Sequence, residues 1–283
     1  GIPKREYKIE DLVSISAYMS FTFSNAVQQD PLISHIQKKL GSSYLKDLAL
    51  NWPEGDTQIK VSNKHADTDL ELATLFVKME NVLSRIPPFF GSNSWVISGS
   101  RSKSGKVILA NDPHIGFSAP STWYEAHLKT PDWELYGHHL AGIPFAILGH
   151  NRRMAWGVTM LQNDDLDYYR ERANPANLDQ VWFRDHWEEL KIIAETISVK
   201  GGEDYPLRVR ISRHGPIIND VLESVEKTET QPVAMAWEML SNFENSTEQV
   251  FYELGHSASL ADSRAAVSKL HAPGLNINYG DAE

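Results

Sequence analysis

The pair Pro87-Pro88 divides this chain into two stretches with different sequence patterns. Proline has no backbone N–H and disfavours helical geometry in the residue before it, so a helix is not expected to continue through the pair. Upstream, apolar residues recur at three- and four-residue steps, which predicts helices. Downstream of Ser92, short apolar runs alternate with polar turns, which predicts strands. Helices followed by a sheet-rich body indicate an α+β fold.

The upstream part is predicted to contain three helices. One face of the first holds four apolar residues at helical spacing: Leu12, Ile15, Met19 and Phe23. The second is expected to follow Asp30-Pro31 and to stop at Gly41, since proline suits a helix start and glycine a helix end. The third is expected at residues 70–79, whose apolar positions follow the same spacing.

The downstream part is predicted to begin with a hairpin. Its strands are Trp95–Ile97 and Val107–Ala110, joined by a polar turn. Further strands are expected at 145–148, 155–159, 192–199 and 207–211, and two helices near 250–254 and 260–270. In the 207–211 segment, apolar and charged residues alternate, which is typical of a strand with one wet face.

Composition removes several classes of function. The chain has 283 residues, a net charge of -10, 41% hydrophobic residues and no cysteine. An acidic chain is a poor general nucleic-acid binder, because phosphates favour a basic face. No apolar run approaches the roughly 20 residues that span a bilayer, so we expect no membrane insertion. The absence of cysteine excludes disulfides, thiolate nucleophiles and cysteine-based zinc sites within this chain.

Ser92 is the candidate nucleophile, although a serine needs a base to take its proton. The Gly-x-Ser-x-Gly elbow is absent, and Ser-x-x-Lys occurs at Ser100–Lys103 and Ser43–Lys46, as chance predicts in a chain rich in both residues. An amidase using Ser100 and Lys103 remains an alternative. If the Gly91–Ser92 bond were cut, the α-amine of Ser92, with a pKa of roughly 7.7–8, could itself act as the base. Composition alone favours the other interpretation, in which Ser92 is a turn serine at a strand start.

Six short segments in order decide between these interpretations. They are Gly91-Ser92-Asn93-Ser94-Trp95, Ala110-Asn111-Asp112-Pro113-His114, Gly149-His150-Asn151 leading into Ala155-Trp156-Gly157, Asn163-Asp164-Asp165-Leu166-Asp167, Arg213-His214-Gly215-Pro216-Ile217-Ile218 and Asn276-Ile277-Asn278-Tyr279-Gly280-Asp281. Together they resemble the penicillin acylase family, which includes penicillin, cephalosporin and acyl-homoserine lactone acylases. The resemblance implies an αββα N-terminal-nucleophile (Ntn) hydrolase core, here partial and preceded by a helical segment.

The resemblance also implies an organisation of the chain as part of a precursor. Residues 1–80 would be the helical end of the small (alpha) chain and residues 81–91 a spacer ending at the cleavage junction. Residues 92–283 would be the N-terminal part of the large (beta) chain. We therefore expect this chain to be a fragment of the precursor in which the Gly91–Ser92 bond is not yet cut. Its second oxyanion donor, an asparagine side chain in the family, would lie beyond Glu283.

The catalytic residues implied by the resemblance are Ser92, His114 and Met160. Ser92 would be nucleophile and, through its freed amine, base. His114 takes the position that contacts the serine amine and hydroxyl, or is simply a surface histidine after Pro113. The backbone N–H of Met160 would stabilise the oxyanion.

The acyl pocket implied by the resemblance includes Met19, Phe23, Ile115 and Leu148. The last two stand where members that prefer phenylacetyl groups often have aromatic residues, which favours a linear acyl group here. Met19 and Phe23 at helical spacing are equally explained as core.

A calcium site known in part of the family would use Asp164, Asp167, the Leu166 carbonyl and Gln29. Oxygen ligands suit Ca²⁺, and the alternative is a solvated acidic turn. No organic cofactor is expected.

The function implied is hydrolysis of a linear N-acyl amide of the penicillin, cephalosporin or acyl-homoserine lactone type, after autoproteolysis at Gly91–Ser92. The expected partners are this small-molecule substrate and the remainder of the acylase chain. Zymogen processing, a link to antibiotic biosynthesis and a periplasmic or secreted location are family inferences. The alternative from another class is a catalytically inactive module that binds acyl amides.

Overall fold

The computed structural model describes residues 6–24, 26–41, 43–47, 89–119, 121–161, 163–220, 231–241 and 247–282, and every structural statement below concerns these residues. The chain divides into two compact units. The first comprises residues 1–25, 83–165 and 242–283, and the second comprises residues 26–82 and 166–241. The third predicted helix and the Pro87-Pro88 break lie outside the described residues.

The helices are α1 (Ile9–Phe23), α2 (Ala26–Leu40), α3 (Ser43–Asp47), α4 (Glu238–Ser241), α5 (Thr247–His256) and α6 (Leu260–Val267). The strands are β1 (Phe89–Ile97), β2 (Ile108–Ile115), β3 (Trp123–Lys129), β4 (Glu134–Leu140), β5 (Leu148–Asn151), β6 (Met154–Met160), β7 (Leu166–Arg170), β8 (Ala173–Asn174), β9 (Asn177–Phe183), β10 (His186–Glu189), β11 (Lys191–Ile197), β12 (Tyr205–Ser212), β13 (Gly215–Pro216), β14 (Val233–Trp237) and β15 (Leu275–Asp281). This mixture of helix and sheet confirms the α+β prediction.

A five-stranded antiparallel sheet forms the centre of the first unit, in the order β15-β6-β5-β4-β3. One core joins this sheet to α1, α5 and α6, through Trp156 and Leu135 of the sheet, Leu12 of α1, Phe251 of α5 and Ala266 of α6. Each of these side chains is at most 5% exposed, so their burial supplies much of the favourable free energy of folding. The hairpin β1–β2 belongs to the same unit and contacts β6 and β15.

Glu134 of β4 connects three segments of this sheet by ion pairs. Its Oε1 lies 2.9 Å from His127 Nε2 on β3, and its Oε2 accepts a 2.8 Å hydrogen bond from Arg152 Nε in the β5–β6 turn. These two bonds, that of Arg152 first, lower the pKa of Glu134 from 4.5 to about 2. The carboxylate is therefore held in its charged form by its neighbours.

We expect the Glu134→Gln variant to lose stability near neutral pH and to converge with the wild type in acid. A carboxyl whose pKa is lowered on folding stabilises the protein above its unfolded pKa, here 4.5, and this contribution is lost as pH falls through the folded value of about 2. Melting temperatures of both proteins across this pH range measure the effect, with Glu125→Gln on β3 as an exposed control. A pH-independent difference would contradict the assignment.

The second unit contains three small antiparallel sheets, ordered β14-β7, β11-β12-β13 and β10-β9-β8. Glu171, 3% exposed, lies 2.8 Å from His214 Nδ1, and the His214 ring stacks on Tyr169 at 4.0 Å. Gly215 has φ +141°, and a Cβ there would overlap the Met235 carbonyl. The close approach of Gly215 to Met235 packs the β12–β13 turn against β14, which explains the motif from Arg213 to Ile218 as structural.

Two predicted elements differ from the structure. Helix α2 begins at Ala26, five residues before Pro31. The prediction missed this first part of the helix because the turn that precedes Leu32 carries polar residues and gave no apolar signal. The strand predicted at 145–148 is instead Leu148–Asn151. Ala146 and Ile147 are buried as part of a loop, so their apolar run reflects burial rather than strand pairing. Gly41 ends α2 as predicted, with φ +89°.

Within the described residues, no helix is long and apolar enough to cross a membrane. The expected division into residues 1–80, 81–91 and 92–283 concerns segments of a precursor rather than compact units, and it stays a prediction.

Candidate active site

The hairpin β1–β2 places the predicted junction at a backbone irregularity. Gly91 lies opposite His114 in the ladder, and the register shifts between Phe89 and Gly91. Gly91 has φ +154°, a value that L side chains rarely adopt. A glycine at this position therefore accommodates the irregular backbone directly before Ser92.

Ser92 and Met160 come together in the structure. The Met160 backbone N–H, at the end of β6, donates a 3.2 Å hydrogen bond to Ser92 Oγ. These residues are 68 positions apart in sequence, and each was predicted to take part in catalysis. A fixed backbone N–H beside a nucleophilic hydroxyl is a candidate donor to the oxyanion that forms when this hydroxyl attacks a carbonyl.

His114 lies on the other face of the hairpin. Ser92 is opposite Pro113 and Asn93 is opposite Asp112, so strand alternation sends the Ser92 and His114 side chains to opposite faces. The His114 Nε2 atom lies 3.2 Å from Asn93 Nδ2 and 3.1 Å from Asp112 Oδ2. The structure thus groups His114 with Asn93 and Asp112, and the predicted contact with the serine amine stays a prediction for the cleaved form.

Asn111 is the site residue to which sequence reasoning gave no role. Its Oδ1 accepts the Val158 N–H at 2.8 Å, and its Nδ2 donates to the carbonyls of Val158 at 3.0 Å and Asn93 at 2.9 Å. The two bonds to Val158 join the hairpin to β6, the strand that carries Met160, and the bond to Asn93 joins β2 to β1 within the hairpin. Its place in the Ala110–His114 motif was the available signal, but a motif does not reveal which backbone groups a side chain will meet.

The four residues predicted to form the acyl pocket lie in the first unit. Phe23 and Leu148 are each 7% exposed, and Met19 is half-buried against the main core that includes Leu148. Ile115 is half-buried at the end of β2, opposite Phe89. Their apolar environment suits either interpretation, and their contact with an acyl group stays a prediction.

The residues predicted to bind calcium lie in α2 and around the start of β7. Asp165, within the acidic run, accepts a 2.6 Å hydrogen bond from Ser24 Oγ. Leu166 is buried and begins β7, Asp167 is exposed, and Gln29 lies in α2. Among the described residues no group of three or more acidic or histidine side chains gathers as metal ligands do. Calcium therefore stays a prediction, and no chemical step is assigned to it.

The alternative pair Ser100 and Lys103 occupies the turn between β1 and β2. Both residues are exposed, and Ser100 Oγ lies 2.9 Å from Ser98 Oγ. A hydroxyl that contacts another hydroxyl on an exposed turn has no visible means of activation. The geometry therefore favours Ser92.

Comparison with known proteins identifies related sequences over the whole chain. A sequence model of the penicillin amidase family matches residues 1–283. Acyl-homoserine lactone acylase QuiP of Pseudomonas aeruginosa is 25% identical over 99% of this chain and 35% of its own length. Penicillin G acylase of Escherichia coli is 30% identical over 49% of this chain and 16% of its own length.

A solved structure shows the same fold. Thermostable penicillin G acylase from Alcaligenes faecalis superposes with a TM-score of 0.57 at 23% identity, over 66% of this chain and 33% of that chain. This likeness confirms the predicted mixed helix and sheet fold. The chain spans about a third of the length of the acyl-homoserine lactone acylases that it matches along its whole length.

Proposed function

Because the chain belongs to the penicillin amidase family, we propose that it carries the nucleophile of an amidase, Ser92, released by self-cleavage of the Gly91–Ser92 bond. The observation that carries this proposal is the hydrogen bond from the Met160 N–H to Ser92 Oγ. It places a rigid backbone donor beside the candidate nucleophile, close to where the oxyanion of an attacked carbonyl would form.

Self-cleavage would begin with attack of Ser92 Oγ on the Gly91 carbonyl carbon. The C–N bond between Gly91 and Ser92 breaks, the Ser92 nitrogen takes up the hydroxyl proton, and Gly91 becomes esterified to Ser92 Oγ. Water then hydrolyses this ester, which leaves a Gly91 carboxylate and a free Ser92 α-amine. Gly91 has no side chain to obstruct the attack.

Amide hydrolysis would follow the same geometry. The Ser92 α-amine, with a pKa of roughly 7.7–8, takes the proton of Oγ directly or through one water. Oγ attacks the substrate carbonyl, and the Met160 N–H stabilises the resulting oxyanion. The intermediate collapses, the proton passes to the leaving amine, and an acyl ester remains on Ser92. Water releases the acid by the reverse sequence.

We propose a linear N-acyl amide as the substrate class. Two kinds of relative support it, one named as an acyl-homoserine lactone acylase and one as a penicillin G acylase. Ile115 and Leu148 favour a linear acyl chain over an aromatic one. They are aliphatic at positions where relatives that prefer phenylacetyl groups often have aromatic pocket residues. The same family inference underlies the proposed periplasmic or secreted location.

Chemical labelling of Ser92 tests this proposal. We expect an arylsulfonyl fluoride to modify Ser92, found by fragmentation of the tryptic peptide Ser92–Arg101, and to block hydrolysis of a linear N-acyl p-nitroanilide. A phenylacetyl p-nitroanilide should be the slower substrate. Modification at Ser100 instead would contradict the assignment and support the Ser100–Lys103 amidase. Saturable binding of the anilide without labelling or hydrolysis would support the inactive acyl-amide-binding module.

A further inference from the structure

We propose that Asn111 is a positioning residue whose carboxamide substitutes for a strand at the edge of β6 and thereby sets Ser92 Oγ beside the Met160 N–H. This inference rests on the proposed function, because it concerns the reactions of Ser92. It assigns a role to an asparagine whose hydrogen bonds go to the backbone of Val158 and Asn93.

The two edges of β6 are occupied differently. Along one edge, β15 pairs with β6 from Met154 to Met160. Along the other, β5 pairs only with Ala155 and Trp156. Within the described residues, the second edge therefore has no strand partner beyond Trp156. Backbone groups on such an edge need other partners.

Asn111 supplies the next pair of hydrogen bonds on that edge. Its Oδ1 accepts the Val158 N–H and its Nδ2 donates to the Val158 carbonyl, at 2.8 and 3.0 Å. Two residues of an antiparallel ladder exchange the same two bonds. The side-chain amide of Asn111 thus continues the ladder where β5 ends, in place of a peptide group.

The same alternation then places Ser92. N–H groups two residues apart on a strand point to the same edge, so the next outward N–H after Val158 belongs to Met160. On the hairpin, Ser94 lies opposite Asn111 and Ser92 is two residues before Ser94, on the same face. A step of two residues on each strand therefore brings Ser92 Oγ to the Met160 N–H, where the 3.2 Å bond is found.

The third bond of Asn111 holds β1 itself. Its Nδ2 also donates to the carbonyl of Asn93, the residue directly after Ser92, at 2.9 Å. One carboxamide therefore fixes β6 on one side and the backbone next to the nucleophile on the other. Losing it would let the hairpin shift along β6, and a displacement of about 1 Å in a reacting group can slow a reaction about 100-fold.

The test compares Asn111→Ala with Asn151→Ala. Asn151 is a matched control because its amide also clamps β6, at the opposite end. Its Nδ2 donates to the carbonyls of Gly255 and Ser257, at 3.2 and 2.7 Å. Its Oδ1 accepts the N–H groups of Arg153 and Met154, at 2.8 and 3.0 Å. Removing it destabilises the same unit without touching the Ser92 region.

We expect Asn111→Ala to slow cleavage of the Gly91–Ser92 bond by at least about tenfold and up to about 100-fold. Asn151→Ala should cleave at close to the wild-type rate, even if its melting temperature falls as much as that of Asn111→Ala. Intact mass against time and thermal melts measure the two quantities. Equal slowing of both variants at equal stability would overturn the proposal, as would wild-type cleavage by Asn111→Ala.

Hydrogen exchange gives a readout that does not depend on cleavage. In Ser92→Ala, which keeps the junction uncut, adding Asn111→Ala should speed exchange of the Val158 amide and leave that of Trp156 unchanged. Unchanged exchange of the Val158 amide would contradict the proposal that the Asn111 side chain holds β6. If the wild type is never cut, the proposed function fails, and this exchange experiment alone decides on Asn111. The two failures are therefore distinguishable.

Discussion

The Ser92→Ala variant is expected to remain uncut at Gly91–Ser92 and to lose amide hydrolysis. Alanine has no oxygen to attack the Gly91 carbonyl, and without a cut the α-amine that would act as base stays within a peptide bond. We expect both rates to fall by at least about a thousandfold. The lost hydrogen bond to Met160 should reduce the free energy of unfolding by only about 1 kcal/mol.

Ser94→Ala is the matched control for this prediction. Ser94 lies on the same face of β1 as Ser92 and donates a 3.2 Å hydrogen bond to the Ala110 carbonyl. It is therefore a hydrogen-bonded serine on the same strand that is not part of the Gly91–Ser92 junction. Its cleavage should proceed as in the wild type. Undiminished cleavage in Ser92→Ala, or loss of hydrolysis only in a Ser100→Ala variant, would contradict the role of Ser92.

The Gly157→Ala variant is expected to disturb both the fold and the site. A Cβ at Gly157 would stand 2.9 Å from Asn111 Cβ, Asn111 Oδ1 and Ser94 Oγ, so the hairpin would have to move away from β6. Overpacking of this kind costs about 1–3 kcal/mol. The movement would also draw Ser92 from Met160, and we expect self-cleavage to slow by about 100-fold.

Gly280→Ala tests whether this effect depends on position. Gly280 lies on the neighbouring strand β15, where a Cβ would stand 3.1 Å from Val107 Cγ1 and 3.5 Å from Val96 Cγ1. These are ends of side chains that can shift by a few tenths of an ångström. We expect a smaller fall in melting temperature and near-normal cleavage. Equal slowing of self-cleavage in Gly157→Ala and Gly280→Ala would show that the cleavage rate does not depend on the contact with Asn111.

Local patterns predicted the elements of this fold that have a clear periodicity. The apolar face of α1, the hairpin β1–β2 and strand β6 all lie where apolar spacing and turn residues indicated them. The start of α2 and the strand near Phe145 were wrong, because polar helical turns and buried loops carry no distinctive period. Pairing order could not be read from spacing, since a ladder depends on partners distant in sequence.

The sequence named candidate residues for the site but did not show which of them the fold brings together. The resemblance pointed to Ser92 and Met160, and the structure places them in hydrogen-bond contact. The role of Asn111 depends on β5 pairing with only part of β6, which leaves the Val158 backbone without a strand partner on that edge. This pairing cannot be predicted from the properties of Asn111 alone. Likewise, the face on which His114 lies follows from the hairpin register.

Intact mass combined with N-terminal sequencing of the purified protein and of Ser92→Ala tests the central claim most directly. We expect the wild type to separate over time into two pieces, one with Ser92 as its first residue, while Ser92→Ala stays a single chain of 31.9 kDa. A wild-type chain that also stays intact, or a new N-terminus at another residue, would contradict it.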